Sequence, residues 1–199
     1  MLIRAFALFL LTASFVAAEE LPALYDVAGV ASDDVLNVRT RPMAGANIIG
    51  TLAHDAQSVE VVEIEGDWGR VNVDEGSGWA SMAYLHPLPE SAMPDAPRLR
   101  CFGTEPFWSL NVTQSGAAIL STPEGSDRAF TVGNWQTASA RPEPFAMLGT
   151  GQGENITLVV GQEICSDGMS DNLFGLDGTI VIGGYLNEVL SGCCSVQVE

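Results

Sequence analysis

The chain has 199 residues, with 25 carboxylates against eight basic side chains and a net charge of −17 at neutral pH; every basic residue is arginine. So acidic a chain repels nucleic acid, anionic lipid and other polyanions at long range, and is a poor binder of any of them. The length suffices for one large domain or two small ones.

The first twenty residues read MLIRAFALFLLTASFVAAEE. Arg4 precedes an apolar run from Ala5 to Val16, and Val16 and Ala18 are the small residues of a cleavage site before Glu19. That order is a secretory signal peptide over residues 1–18. The run is shorter than the ~20 apolar residues a membrane span needs, and no later segment is long or apolar enough. The mature chain is therefore expected to be periplasmic or secreted, with no membrane span.

Residues 19–88 read as short strands between turns. VLNVRTRP alternates, with Leu36 and Val38 on one face and Asn37 and Arg39 on the other. IIGTL, VEVVEI, WGRVNV and WASMAYL follow, separated by EGD and DEGSG turns. A flat sheet this small would leave long unpaired edges, so a small closed barrel is expected. LNVRTRP at 36–42, IIGTL at 48–52, EGDWGRVNV at 65–73 and GWASMAYL at 78–85 together resemble the bacterial SH3 domain, over about Tyr25 to Leu88. The resemblance implies an SH3-like barrel that binds cell-wall peptide or another envelope component rather than catalysing a reaction. Trp68 suits the core, since a small barrel needs large side chains to fill it. Trp79, beside a turn, and Tyr84, at the end of the domain, are candidate ligand-binding residues together with Arg39.

Residues 89–99, PESAMPDAPRL, hold three prolines and no periodicity, and form the linker. The acidity is shared by the two halves it joins: three arginines face twelve carboxylates in 19–88 and eleven in 100–199.

The second half, 100–199, is also β-rich, with the runs PFWSLNV, GAAILS, ENITLVVGQEIC and GTIVIGGYLNEVL between glycine turns. The fold class is all-β: an SH3-like small barrel plus a second, disulfide-stapled barrel or sandwich. GTEPFWSL at 103–110, CSDGMSD at 165–171 and SGCC at 191–194, in that order, resemble an uncharacterised family of bacterial envelope proteins. That likeness implies an exported β-domain.

The chemistry of these motifs is limited by what surrounds them. Ser166 and Ser170 have no histidine or lysine base in this half, because the only histidines are His54 and His86. Glu105, Asp167 and Asp171, with Trp108 as an apolar wall, are the best carboxylate set for a hydrolase. Their simpler role is to decorate polar turns. Asp167, Asp171, Asn172 and Asp177 are hard oxygen ligands but do not follow the calcium-loop pattern. No paired C-x2-C zinc spacing exists, so no metal and no cofactor are expected.

All four cysteines lie in the second half, and export makes an even number read as disulfides. Cys193 and Cys194 are strand neighbours whose side chains point to opposite faces. Each then pairs with Cys101 or Cys165, which leaves two connectivities. The envelope-family likeness implies Cys165–Cys193 with Cys101–Cys194. The chain reads as an exported, non-enzymatic envelope-binding protein whose partner is cell-wall peptide or an envelope protein. The alternatives are an inhibitor of a basic wall-degrading enzyme and a carboxylate-based hydrolase.

Overall fold

The computed structural model describes residues 20–125, 127–185 and 187–198. The expected signal segment, residues 1–18, lies outside the described residues.

Seven strands make the first unit: β1 (Ala23–Val27), β2 (Val35–Arg39), β3 (Ile48–Ala53), β4 (Val59–Glu65), β5 (Trp68–Val73), β6 (Gly76–Ser81) and β7 (Leu85–Pro87). A single 3-10 turn, Met82–Tyr84, leads from β6 into β7. The sheet order is β3-β2-β6-β5-β4-β1-β7, and every pairing is antiparallel. Period-two alternation turns Tyr25, Val27, Leu36, Val38, Val61, Val71 and Ala80 into one core, around which the sheet wraps.

Nine strands make the second unit: β8 (Arg98–Thr104), β9 (Phe107–Thr113), β10 (Ala117–Ser121), β11 (Arg128–Val132), β12 (Gln136–Thr137), β13 (Phe145–Gly151), β14 (Glu154–Gly161), β15 (Leu176–Gly183) and β16 (Glu188–Gln197). Strands β8 to β11 pair in sequence order, as do β13 to β16. Two further pairings, β16 with β8 and β11 with β13, close the sheet into an eight-stranded antiparallel barrel with β12 added beside β13. Of the two architectures the sequence allows here, the chain adopts the barrel. Closure removes the sheet edges that a sandwich would leave.

The barrel interior is filled rather than hollow. On β14, for instance, Ile156, Leu158 and Val160 face inward, and comparable rows from every other long strand complete a single apolar cluster. Two glycines make room for larger neighbours. A β-carbon at Gly178 would collide with the Cys194 sulfur, and one at Gly103 with the Trp108 indole nitrogen. Cys101–Cys194 joins register partners of β8 and β16. Cys165–Cys193 ties β16 to the loop between β14 and β15.

The two units share a packed seam. On β1, Tyr25 points into the first core, while Leu24, on the opposite face and 2% exposed, belongs to the core cluster of the second barrel. Residues 89–99 are packed as well. Met93 and Ala96 are buried in the second core, and the buried Ser91 hydroxyl accepts from the Leu24 amide at 3.0 Å and donates to the Leu88 carbonyl at 2.7 Å. The connection thus holds the barrels against each other.

Candidate functional site

On the first unit, the segment from β1 to β2, strand β2 and the 3-10 turn enclose a cavity of about 390 Å³. Trp68, Tyr84, Leu36, Ser81, Asp34 and Arg39 are among its walls. Trp68 reaches it because β5 turns Gly69 and Val71 inward, which leaves Trp68 and Arg70 on the opposite face. Tyr84 reaches it from the 3-10 turn and is 40% exposed. The turn is fixed in place by the Tyr84 carbonyl accepting from the Ala28 amide at 3.0 Å. Beside it, Gly29 takes a left-handed φ of 80°, a backbone geometry that glycine adopts without strain, and a β-carbon there would lie 3.7 Å from the tyrosine ring.

The polar walls have opposite charges. The Asp34 carboxylate accepts from the Val35 amide at 2.8 Å. Arg39 donates from Nη1 to the Ala46 carbonyl at 2.8 Å, which uses one of its five donors and fixes the guanidinium. A cavity lined by aromatic rings, a carboxylate and a guanidinium suits a ligand with an apolar body and ionic groups.

Residues 34–86 match the family model of the bacterial SH3 domain. Such a domain is a binding module for cell-wall or protein ligands, and the match spans β2 to β7, the strands that carry Arg39, Trp68 and the 3-10 turn. No curated protein and no solved structure shows a significant match to the chain. The two disulfides and the bacterial SH3 match fit an extracytoplasmic protein. No helix among the described residues is long and apolar enough to cross a membrane.

The aromatic residues fall differently from the sequence assignment. Trp79 is 8% exposed and does not line the cavity, whereas Trp68 does. Trp79 lies on the outer face of β6, in register with Arg39 on β2 and Arg70 on β5. The Arg70 guanidinium covers its ring at 5.5 Å from the centroid and is itself fixed by Ser77 Oγ at 3.0 Å and Glu63 at 3.1 Å. A stacked arginine thus buries a tryptophan outside the main core.

In the second unit the three sequence motifs converge. Cys165 of CSDGMSD bonds Cys193 of SGCC, and the Thr104 hydroxyl of GTEPFWSL donates to the Asp167 carbonyl at 3.0 Å. The Asp167 carboxylate closes the turn. It accepts from the Ser170 amide at 3.0 Å, the Met169 amide at 2.9 Å and the Ser170 hydroxyl. The Ser170 and Met169 amides hold its pKa below the usual carboxylate value. Stability from this contact is complete above the unfolded carboxylate pKa and is lost as pH falls through the lower folded value. Asp167→Asn is expected to remove hydrogen-exchange protection from the Met169 and Ser170 amides at neutral pH, and unchanged protection would refute the assignment.

The same loop docks on the first barrel. The Asp171 amide donates to the Glu75 carbonyl at 3.0 Å, next to a parallel bridge between Asp171 and Gly76. Asn72 of β5 donates to the Leu173 carbonyl at 2.8 Å and accepts from its amide at 3.0 Å. Glu105 and Trp108 instead line a cavity at one end of the second barrel, which neither Asp167 nor Asp171 lines. The three carboxylates singled out in the sequence therefore do not form one site. Among the described residues, no cluster of three or more His, Cys, Asp or Glu side chains is placed to hold a metal ion.

Proposed function

We propose that the protein is an exported, non-enzymatic envelope-binding protein whose first barrel holds cell-wall peptide or an envelope protein and so tethers the second barrel. The observation that carries this reading is the cavity that Trp68, Tyr84, Asp34 and Arg39 line together. A peptide carboxylate would pair with Arg39, a free amine with Asp34, and the apolar body between them would cover the aromatic rings.

Retention on isolated cell wall tests it. Tyr84→Ala and Trp68→Ala are expected to keep the fold by circular dichroism and lose most of the retained protein. Trp79→Ala is expected instead to destabilise the barrel by roughly 3–5 kcal/mol, the usual cost of deleting a buried aromatic. Full retention by both cavity variants would remove the cavity from the binding account.

The net charge of −17 favours a second reading, in which a basic envelope enzyme is the protein partner. Capture of such an enzyme with inhibition of its activity, and no retention on wall alone, would favour that reading. A carboxylate-based hydrolase is less well supported, because Asp167 is engaged in its own turn and lies off the cavity that holds Glu105.

A further inference from the structure

The second barrel ends in a charged mouth. Arg128, Glu154 and Glu188 are the first residues of β11, β14 and β16. Each precedes an inward-facing residue by two positions, Phe130, Ile156 and Leu190, so all three point into the barrel opening. The Arg128 guanidinium sits in that opening, 2.9 Å from Glu154 and 3.1 Å from Glu188. In the ring of eight strands β11 and β16 lie opposite each other, so this ion pair spans the mouth. The ring of Phe130 lies beneath, 5.9 Å from the guanidinium carbon. The mouth thus already holds one cation, between two carboxylates and over an aromatic ring.

Beside this plug is a cavity of about 600 Å³. Its apolar walls include Phe107, Trp108 and Leu190, and its carboxylates are Glu105, Glu124 and Glu188. Phe107 is 54% exposed, so its side chain is open to a ligand in the cavity. No arginine lines the cavity. Glu188 shares Arg128 with Glu154, whereas Glu105 and Glu124 have no ion-pair partner among the described residues. The site therefore combines, like the Arg128 clamp, carboxylates with aromatic side chains.

We propose that this mouth binds a small organic cation with an apolar body, an aryl- or alkyl-ammonium or guanidinium. The volume lies within the roughly 300–1,000 Å³ of ordinary small-molecule sites. Carboxylates and aromatic side chains lining one cavity favour a cation over a neutral molecule of the same shape. An anion is opposed both by the local carboxylates and by the charge of the whole chain. The site is in the other barrel from the Trp68–Tyr84 cavity, so it stands or falls independently of the tethering role.

Titration of the full oxidised chain with phenethylammonium, followed by calorimetry and by backbone NMR shifts, tests the proposal. Saturable 1:1 binding is expected, with shifts at Thr104–Trp108 and Thr122–Glu124. The joint variant E105Q/E124Q is expected to bind at least roughly tenfold more weakly, a loss of about 1.4 kcal/mol. Both side chains are exposed, so the fold should be retained. The isosteric neutral probe 3-phenylpropanol is expected to bind at least about tenfold more weakly, and raised salt should weaken the amine. Any of four results overturns the proposal: no saturable amine binding, equal binding of alcohol and amine, an unaffected E105Q/E124Q variant, or shifts confined to other surfaces. A lysine-rich peptide that binds where phenethylammonium does not would make the mouth a protein interface and refute the small-molecule ligand.

Discussion

Joint replacement of Cys101 and Cys194 by alanine is expected to cost about 4–5 kcal/mol in the chain-entropy account of disulfides. The bond joins positions 93 residues apart, the first and last strands of the second barrel, and so fixes the closure of β8 on β16 in the unfolded ensemble too. Both cysteines are fully buried in the core cluster, so the lost sulfurs also leave unfilled space. A domain of this size is stable by only about 5–15 kcal/mol, which makes the loss a large fraction of the total. Removal of Cys165 and Cys193, 28 residues apart, should cost less, about 3–4 kcal/mol. That second pair also fixes the loop that docks on β5 and β6, so its removal is expected to raise exchange at Leu173 and Asp171 before global unfolding. Guanidinium denaturation of the oxidised variants measures both costs. Equal midpoints for wild type and the Cys101/Cys194 variant would refute the closure argument.

The seam also sets how the loss spreads. Leu24 belongs to a first-barrel strand and a second-barrel core. Unfolding of the second barrel therefore exposes Leu24 and breaks the Asn72–Leu173 and Glu60–Val196 bonds.

Much of the first barrel was legible because its strands alternate and their turns carry glycine. VLNVR, IIGTL, VEVVEI and WGRVNV all fall on β2 to β5. Strand β1 escaped, and its burial explains why. ALYDV is covered on both faces, by its own core and by the second barrel, so it shows no polar alternation to read. In the second barrel the apolar runs led to β9, β10 and β14, while GTIVIGGYLNEVL folds as the β15–β16 hairpin. Strands β8, β11 and β13, with the sequences RLRCFGT, RAFTV and FAMLGTG, lie outside the apolar runs picked out in the sequence. Trp68 and Trp79 share the outer face of β5 and β6, and their exchange of roles depends on the register of those two strands and on the arginine that it stacks over Trp79. Neither is encoded in local spacing. Glu105 and Trp108 could be paired from their motif, but Glu124 joins them through the pairing of β9 with β10 and Glu188 through that of β8 with β16.

Glu60→Gln is expected to stabilise the protein above pH 7 by up to about 3 kcal/mol and to leave it nearly unchanged at pH 4, because Glu60 is a carboxylate in the seam. It is the register partner of Leu24, on the face of the first sheet turned to the second barrel. Its Oε1 accepts from the Val196 amide at 2.9 Å, and no ion pair supports it among the described residues. Burial raises its pKa from 4.5 to about 7, and the Val196 hydrogen bond offsets only part of that effect. A carboxyl whose folded pKa is raised holds its proton longer in the folded state than in the unfolded one. Its contribution to stability is therefore greatest below pH 4.5, falls as pH rises from 4.5 to about 7, and is level above that. Glutamine keeps the oxygen acceptor for Val196 and removes the titration. The difference in unfolding free energy between variant and wild type should accordingly grow from near zero at pH 4 to its full value by pH 8, whatever the other carboxylates contribute to both. Parallel pH profiles for the two proteins would show that Glu60 is solvated in the folded state and that the seam is open to water at this point. A growing difference means instead that acid tightens the contact between the barrels, with Val196 and Leu24 as the places where loss of protection should first appear as pH rises.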